Sequence, residues 1–211
     1  MNPKQALPIT IFIAFLFPLA VLAQTDKQYD SIAAIKQKKE DLQGAMQALT
    51  KEIDIDSNYA SLYQRRGNIK AKLKDYSGSI ADFTKAIKLF PDAGNYYLRG
   101  ISYYILEDYK NAMADFDATL HDNPQISYEL YFFRGNIKFK QLDYAGSVEE
   151  YTKSIAMKLD YAKGYYNRGV SKYYENLKGN ACNDIAKAKE LGFTDVDPAI
   201  RKYCDYYTTH Q

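Results

Sequence analysis

The sequence predicts an all-α fold of stacked antiparallel helix pairs, and three observations predict it. First, Tyr96 to Pro124 carries a complete helix-turn-helix pattern: Tyr96, Gly100 and Tyr103 stand at i, i+4 and i+7, and Ala112, Phe116 and Thr119 repeat that spacing on a second run. Second, the pattern recurs, because Gly67, Gly100, Gly135 and Gly169 lie 33, 35 and 34 residues apart and Ala33 lies 34 before Gly67. Third, other positions recur in the same register. Four residues before the small residue stand Tyr29, Tyr63, Tyr96, Tyr131 and Tyr165; twelve after it stand Ala45, Ser79, Ala112, Ser147 and Ala181; four further on stand Leu49, Phe83, Phe116, Tyr151 and Ile185. A fixed period of this length signifies a repeat array in which each unit buries its apolar face against its neighbours.

From the start of the chain, residues 1–23 form an expected export signal: Lys4, an uncharged apolar run from Leu7 to Leu22, and Ala23 before Gln24. The competing reading is an uncleaved anchor, for which the run with Pro18 is marginal against the roughly 20 apolar residues a span needs. Five units follow over 24–195, at 26–59, 60–92, 93–127, 128–161 and 162–195. Asp41, Asp75, Asp108 and Asp143 stand where a short carboxylate accepts from the first-turn amides of a second helix. Gly100 and Ala112 are expected at the crossing of the two helices, where small residues let the backbones approach. Residues 196–211 are the expected cap and tail, with a helix over Asp197–Tyr207.

On these residues the chain resembles the tetratricopeptide repeat family, whose 34-residue unit reads aromatic, Leu-Gly, aromatic, then Ala, Phe and Pro. The resemblance implies a right-handed superhelical solenoid of antiparallel helix pairs with a C-terminal capping helix. It covers about residues 26–195 and has departures: the first aromatic is always Tyr, Arg replaces Leu before Gly, and the closing Pro survives only as Pro91 and Pro124. The fifth unit matches least, with Lys178 where Tyr76, Tyr109 and Tyr144 stand earlier.

Two patterns concern structure. Arg66, Arg99, Arg134 and Arg168 precede the glycines, and sixteen residues later come Asp82, Asp115, Glu150 and Asp184; in the first unit Ile32 and Ala48 stand there, so Arg and acid are absent together. A guanidinium fork suits a carboxylate, so these predict a repeated clasp between the helices of a pair; the rival is an arginine ladder for an anionic ligand. Cys182 and Cys204, in an exported chain, predict a disulfide that pins the cap. The rivals are a redox pair or a metal site with His121 and His210, against which stand the lack of Cys-x-x-Cys spacing and the placing of the histidines. The run ACNDIAKAKELG followed by KYC is also similar to the closing segment of exported bacterial repeat proteins.

For function, 28 Lys and Arg against 26 acids leave no basic footprint for nucleic acid. No nucleophile elbow, phosphate loop or His-Glu-x-x-His is present, and the chain has two His, so no catalytic residue, metal or cofactor is expected. The family resemblance implies that first helices line a concave groove for extended peptides. The groove positions then read Asp30, Gln64, Tyr97, Phe132 and Tyr166; Ala34, Asn68, Ile101, Asn136 and Val170; and Gln37, Ala71, Tyr104, Phe139 and Tyr173. Units three to five thus present two aromatic rows, which either bind a ligand or pack between repeats, and Asn68 and Asn136 offer amides to a peptide backbone. Lys70, Lys72, Lys138 and Lys140 are expected on solvated faces, with Lys72 and Lys140 at the groove border favouring an acidic partner. The family's dicarboxylate clamp is not matched: Gln64 stands where Lys is needed and Leu98 where Asn is needed, although Asn68 fits. The expectation is therefore a non-enzymatic protein-binding module, exported to the periplasm or cell envelope or secreted, touching a membrane only through an uncleaved signal. Cell-wall glycan binding and self-association are the alternatives.

Overall fold

Asp41, Asp75, Asp108 and Asp143 fold back onto the turns they begin. In the computed structural model, which describes residues 41–123 and 127–210, their carboxylates accept from the backbone N–H of Gly44, Gly78, Asn111 and Gly146 at 2.9, 2.9, 3.2 and 2.9 Å. Each such cap contributes about 1 kcal/mol. The described residues form ten helices and no strand: α1 Leu42–Ile55, α2 Ala60–Lys72, α3 Tyr76–Leu89, α4 Ala93–Ile105, α5 Tyr109–Asp122, α6 Tyr128–Lys140, α7 Tyr144–Met157, α8 Ala162–Tyr174, α9 Lys178–Glu190 and α10 Pro198–Thr209. None is long and apolar enough to cross a membrane. The N-cap of α9 is Leu177, which makes no side-chain cap bond, so this second helix lacks the aspartate cap that α3, α5 and α7 carry.

The chain divides into two compact units, Met1–Pro91 and Asp92–Gln211. In the first, α2 and α3 pair, and α1 packs on them through Ala45, Leu49, Ile53, Leu62, Ile69 and Ala86. In the second, α4 pairs with α5, α6 with α7 and α8 with α9, and α10 closes against α9. Ala112, Phe116, Leu130 and Ile137 form one core there, and Cys182, Ile185, Val196, Ile200 and Cys204 another.

The turn inside each pair has one form. Lys74, Glu107, Leu142 and Asn176 take φ of 64°, 60°, 64° and 71°. The next amide reaches back to close the helix end, Asp75 to Lys70, Asp108 to Tyr103, Asp143 to Lys138 and Leu177 to Lys172, at 2.8 to 3.0 Å.

The close approach of the two helices differs in detail from the sequence expectation. A Cβ on Gly100 would lie 2.7 Å from the Phe116 ring and 3.2 Å from Asp115 Cβ, and one on Gly135 would lie 2.6 Å from the Tyr151 ring. The glycine therefore faces the aromatic one turn beyond Ala112, because helical side chains lean toward the N-terminus and swing that ring back over it. The expected export signal at 1–23, together with Tyr29, Asp30, Ile32, Ala33, Ala34, Gln37 and Pro124, lies outside the described residues.

Candidate functional site

All four arginine forks meet their acids. Arg66 donates Nε and Nη2 to Asp82 at 2.9 and 2.7 Å, Arg99 to Asp115 at 2.8 and 2.7 Å, Arg134 to Glu150 at 3.0 and 3.4 Å, and Arg168 to Asp184 at 2.8 and 2.7 Å. The acids are buried, and hydrogen bonding to Asp82 and Asp115 holds the Arg66 and Arg99 guanidiniums above their ordinary value. The third donor ties the pair to the one before it: Nη1 of Arg66 reaches Thr50, that of Arg134 reaches Asp117 and that of Arg168 reaches Thr152. These forks are spent inside the scaffold rather than offered to an anion. Lys70 and Lys172 join the same carboxylates at 2.9 and 2.8 Å and Lys138 pairs with Asp143, whereas Lys72 and Lys140 are exposed.

In the Met1–Pro91 unit, Gln64 and Asn68 are half-buried on α2. In the Asp92–Gln211 unit the aromatic rows prove largely engaged in packing. Phe132 is a core residue, 5% exposed, wedged edge-on against Tyr161 and Phe133. Tyr97 and Ile101 pack on the Phe116 core, and the Tyr97 hydroxyl donates to Glu129 at 3.4 Å. Tyr173 stands edge-on to Tyr203 of α10 at 5.4 Å. Burial pushes the Tyr97 phenol up to about 12.

The residues that remain converge. Tyr104 from α4, Asn136 and Phe139 from α6, and Tyr166 from α8 line one pocket of about 250 Å³; Lys140, Tyr151, Asn167 and Val170 complete it. Its polar wall is a connected network centred on Asn136. The Asn136 amide oxygen accepts from the Tyr151 hydroxyl at 2.7 Å and from Asn167 Nδ2 at 3.0 Å, while its own Nδ2 donates to the Tyr104 hydroxyl at 3.2 Å. Tyr151 is 2% exposed, and burial pushes its phenol far up. Asn136 thus holds side chains of three other helices, and what faces the cavity is a set of aromatic faces around two amides.

Tyr151 and Asn167 were not singled out as site residues from sequence. The signal was present for both. Tyr151 is the one hydroxyl in the register of Leu49, Phe83, Phe116 and Ile185, and Asn167 stands two before its glycine, the register of Leu98.

Cys182 and Cys204 are bonded, with Cα atoms 5.2 Å apart, and fix α10 to α9. Asp197 caps α10 by accepting from Ala199 and Ile200 at 2.8 and 3.2 Å, and Pro198 occupies the first turn, where it gives up no bond.

Residues 60–92, spanning α2 and α3, match the tetratricopeptide repeat family. The chain carries a tetratricopeptide repeat in that stretch. It is 28% identical over 131 residues to Tetratricopeptide repeat protein 13 of Homo sapiens, 59% of this chain and 14% of that one. It is 24% identical over 168 residues to the TPR repeat-containing protein MJ1428 of Methanocaldococcus jannaschii, 78% of this chain and 29% of that one. The chain therefore spans less than a third of either relative. Among solved structures, MamA of Desulfovibrio magneticus RS-1 superposes with a TM-score of 0.75 at 20% identity, over 79% of this chain and 94% of that one. YrrB, described as a TPR protein with an unusual peptide-binding site, superposes at 0.72 and 18% identity, over 93% and 98%. At these identities the tetratricopeptide neighbours establish the fold.

Proposed function

We propose that this chain is a non-enzymatic protein-interaction module that captures a peptide segment, seating one side chain of it in the pocket between α4, α6 and α8. The observation that carries the proposal is the pocket itself, a side-chain-sized cavity of about 250 Å³ with aromatic walls and a few placed polar groups. Tyrosine and asparagine give large contact area and adaptable hydrogen bonding at low ordering cost. Among the described residues that line the pocket Lys140 alone is charged, which favours a partner without excess positive charge. The peptide-binding description of YrrB supports the same use of the fold. The apolar run Leu7–Leu22 ahead of Ala23 supports export, with the periplasm or cell envelope as the place of action.

Panning a displayed library of random linear peptides on the purified chain tests this. Val170→Trp fills the cavity from the wall of α8. Enriched peptides are expected to bind it at least about tenfold more weakly than the native chain, about 1.4 kcal/mol, with unchanged helical circular dichroism. Equal binding to both chains, or no enrichment at all, overturns the proposal.

A further inference from the structure

The pocket and the disulfide share a wall. Tyr166 and Val170 line the pocket, and both also pack against the buried cluster of Cys182, Ile185, Val196, Ile200 and Cys204. Tyr166 is held by two contacts from the segment that leads into α10. Its ring stacks on Phe193 with centroids 4.3 Å apart at 23°, and the Asp197 backbone N–H donates to its hydroxyl at 3.3 Å. That segment is tethered at its far end by α10, which is bonded through Cys204 to Cys182 on α9.

The tether matters because α10 is short and buries few apolar residues. It is 12 residues long, a length at which an isolated helix is marginal in water. Ile200 and Cys204 are its buried apolar residues, Tyr203 and Tyr207 are half-buried, and Tyr206 points outward, 64% exposed. Cutting the link reopens a loop whose ends are 22 residues apart and restores its chain entropy.

Resting on the peptide site proposed above, we infer that the Cys182–Cys204 disulfide gates the pocket. Oxidised, it holds Phe193 and Asp197 against Tyr166 and keeps the wall preformed. Reduced, it releases that segment, and a peptide must then order Tyr166 as it binds.

A dithiol is the reductant. One of its thiolates attacks one cysteine sulfur, the Cys182–Cys204 bond breaks, and the departing cysteine thiolate takes a proton. The second thiol of the reductant then displaces the first cysteine, so the protein gains two electrons and two protons and the dithiol becomes a disulfide. Cys182 and Cys204 are 4% and 5% exposed, so attack follows local opening of α10 and is slow compared with an exposed bond.

The test uses the full chain and peptides enriched on its oxidised form. Affinity is measured for the oxidised chain, the dithiol-reduced chain, Cys182→Ser with Cys204→Ser, and Phe193→Ala with the disulfide intact; amide hydrogen exchange is followed in parallel. At least about tenfold weaker binding is expected for the reduced and double-serine chains, and a comparable loss for Phe193→Ala with the disulfide intact. Exchange in Tyr166–Tyr173 and α10 is expected to quicken on reduction while α4 to α7 stay protected. Equal affinity in both redox states, with Val170→Trp still abolishing binding, sinks the gate and leaves the peptide site standing; insensitivity to Val170→Trp sinks the peptide site. If no peptide is enriched, unchanged exchange in Tyr166–Tyr173 overturns the gate on its own, as does loss of protection throughout α4 to α7.

Discussion

The α4–α5 and α6–α7 pairs are the same hairpin with different contents. Both carry the arginine fork, Arg99 to Asp115 and Arg134 to Glu150. Both carry a glycine pressed against an aromatic, Gly100 under Phe116 and Gly135 under Tyr151. They part at two positions. Where the first pair has Phe116 and Ile101, the second has Tyr151 and Asn136, bonded to each other at 2.7 Å. A buried hydroxyl needs a partner, and the partner chosen projects from the first helix toward the pocket. What recurs between pairs therefore builds the hairpin, and what changes builds the site.

The largest expected effect lies in the clasp that both pairs share. Asp115 is 4% exposed and takes two donors of Arg99, and Glu150 is 2% exposed and takes two of Arg134, so Asp115→Ala and Glu150→Ala are each expected to destabilise by about 3–5 kcal/mol in urea unfolding. Replacing both partners, Arg99→Met with Asp115→Leu, is expected to return to within about 1–2 kcal/mol of the native chain. A loss below about 1 kcal/mol for either single variant breaks the equivalence of the two clasps.

A smaller effect converts one pair into the other. Asn136→Ile strands the Tyr151 hydroxyl in the core and is expected to cost about 1–3 kcal/mol, Tyr151→Phe alone about 1 kcal/mol. The double variant reproduces the Phe116 and Ile101 solution and is expected to lose less than the two singles summed, a coupling read from a double-mutant cycle. The same tyrosines set an alkaline limit. Burial holds Tyr97 and Tyr161 up to about 12 and Tyr151 higher still, against roughly 10 for the unfolded chain. The unfolded state therefore loses protons first, and stability that is intact below about pH 10 drains away as pH rises toward 12. In Tyr151→Phe that decline is expected to be shallower; an identical profile contradicts a buried neutral phenol at Tyr151.

The hairpins were legible in the sequence because their signals are local. The i, i+4, i+7 stripes, the aspartate caps and the Arg-to-acid spacing of sixteen each follow from helix geometry. The site was only partly legible. Register places Tyr104, Asn136, Phe139 and Tyr166 on first helices, and these do line the pocket, but register does not say whether a ring meets solvent or a neighbour. Phe132 occupies the same register as Tyr97 and Tyr166 yet is sealed by Tyr161, which caps α8 from a register whose residue type varies as Tyr59, Asp92 and Ser127 in the other units. The Asn136 bonds to Tyr104 and Asn167 span 32 and 31 residues, and a partner one repeat away becomes visible only once the pairs are stacked.

The smallest expected effect concerns the turn between the two helices of a pair. Lys74, Glu107, Leu142 and Asn176 all hold positive φ there, but only Asn176 is of a type that enters this region readily. Leu142 combines the strained backbone with a side chain that is 70% exposed, so its apolar surface returns almost nothing for the strain. Leu142→Asn is expected to stabilise by about 0.5–1 kcal/mol and raise the melting temperature by about 2 °C, and Asn176→Leu to destabilise by a similar amount. Glycine at 142 gains less, because it also loosens the unfolded chain. A Leu142→Asn variant that melts lower than the native chain shows that the leucine side chain makes a stabilising contact, and the turns of the α6–α7 and α8–α9 pairs then differ in more than residue type.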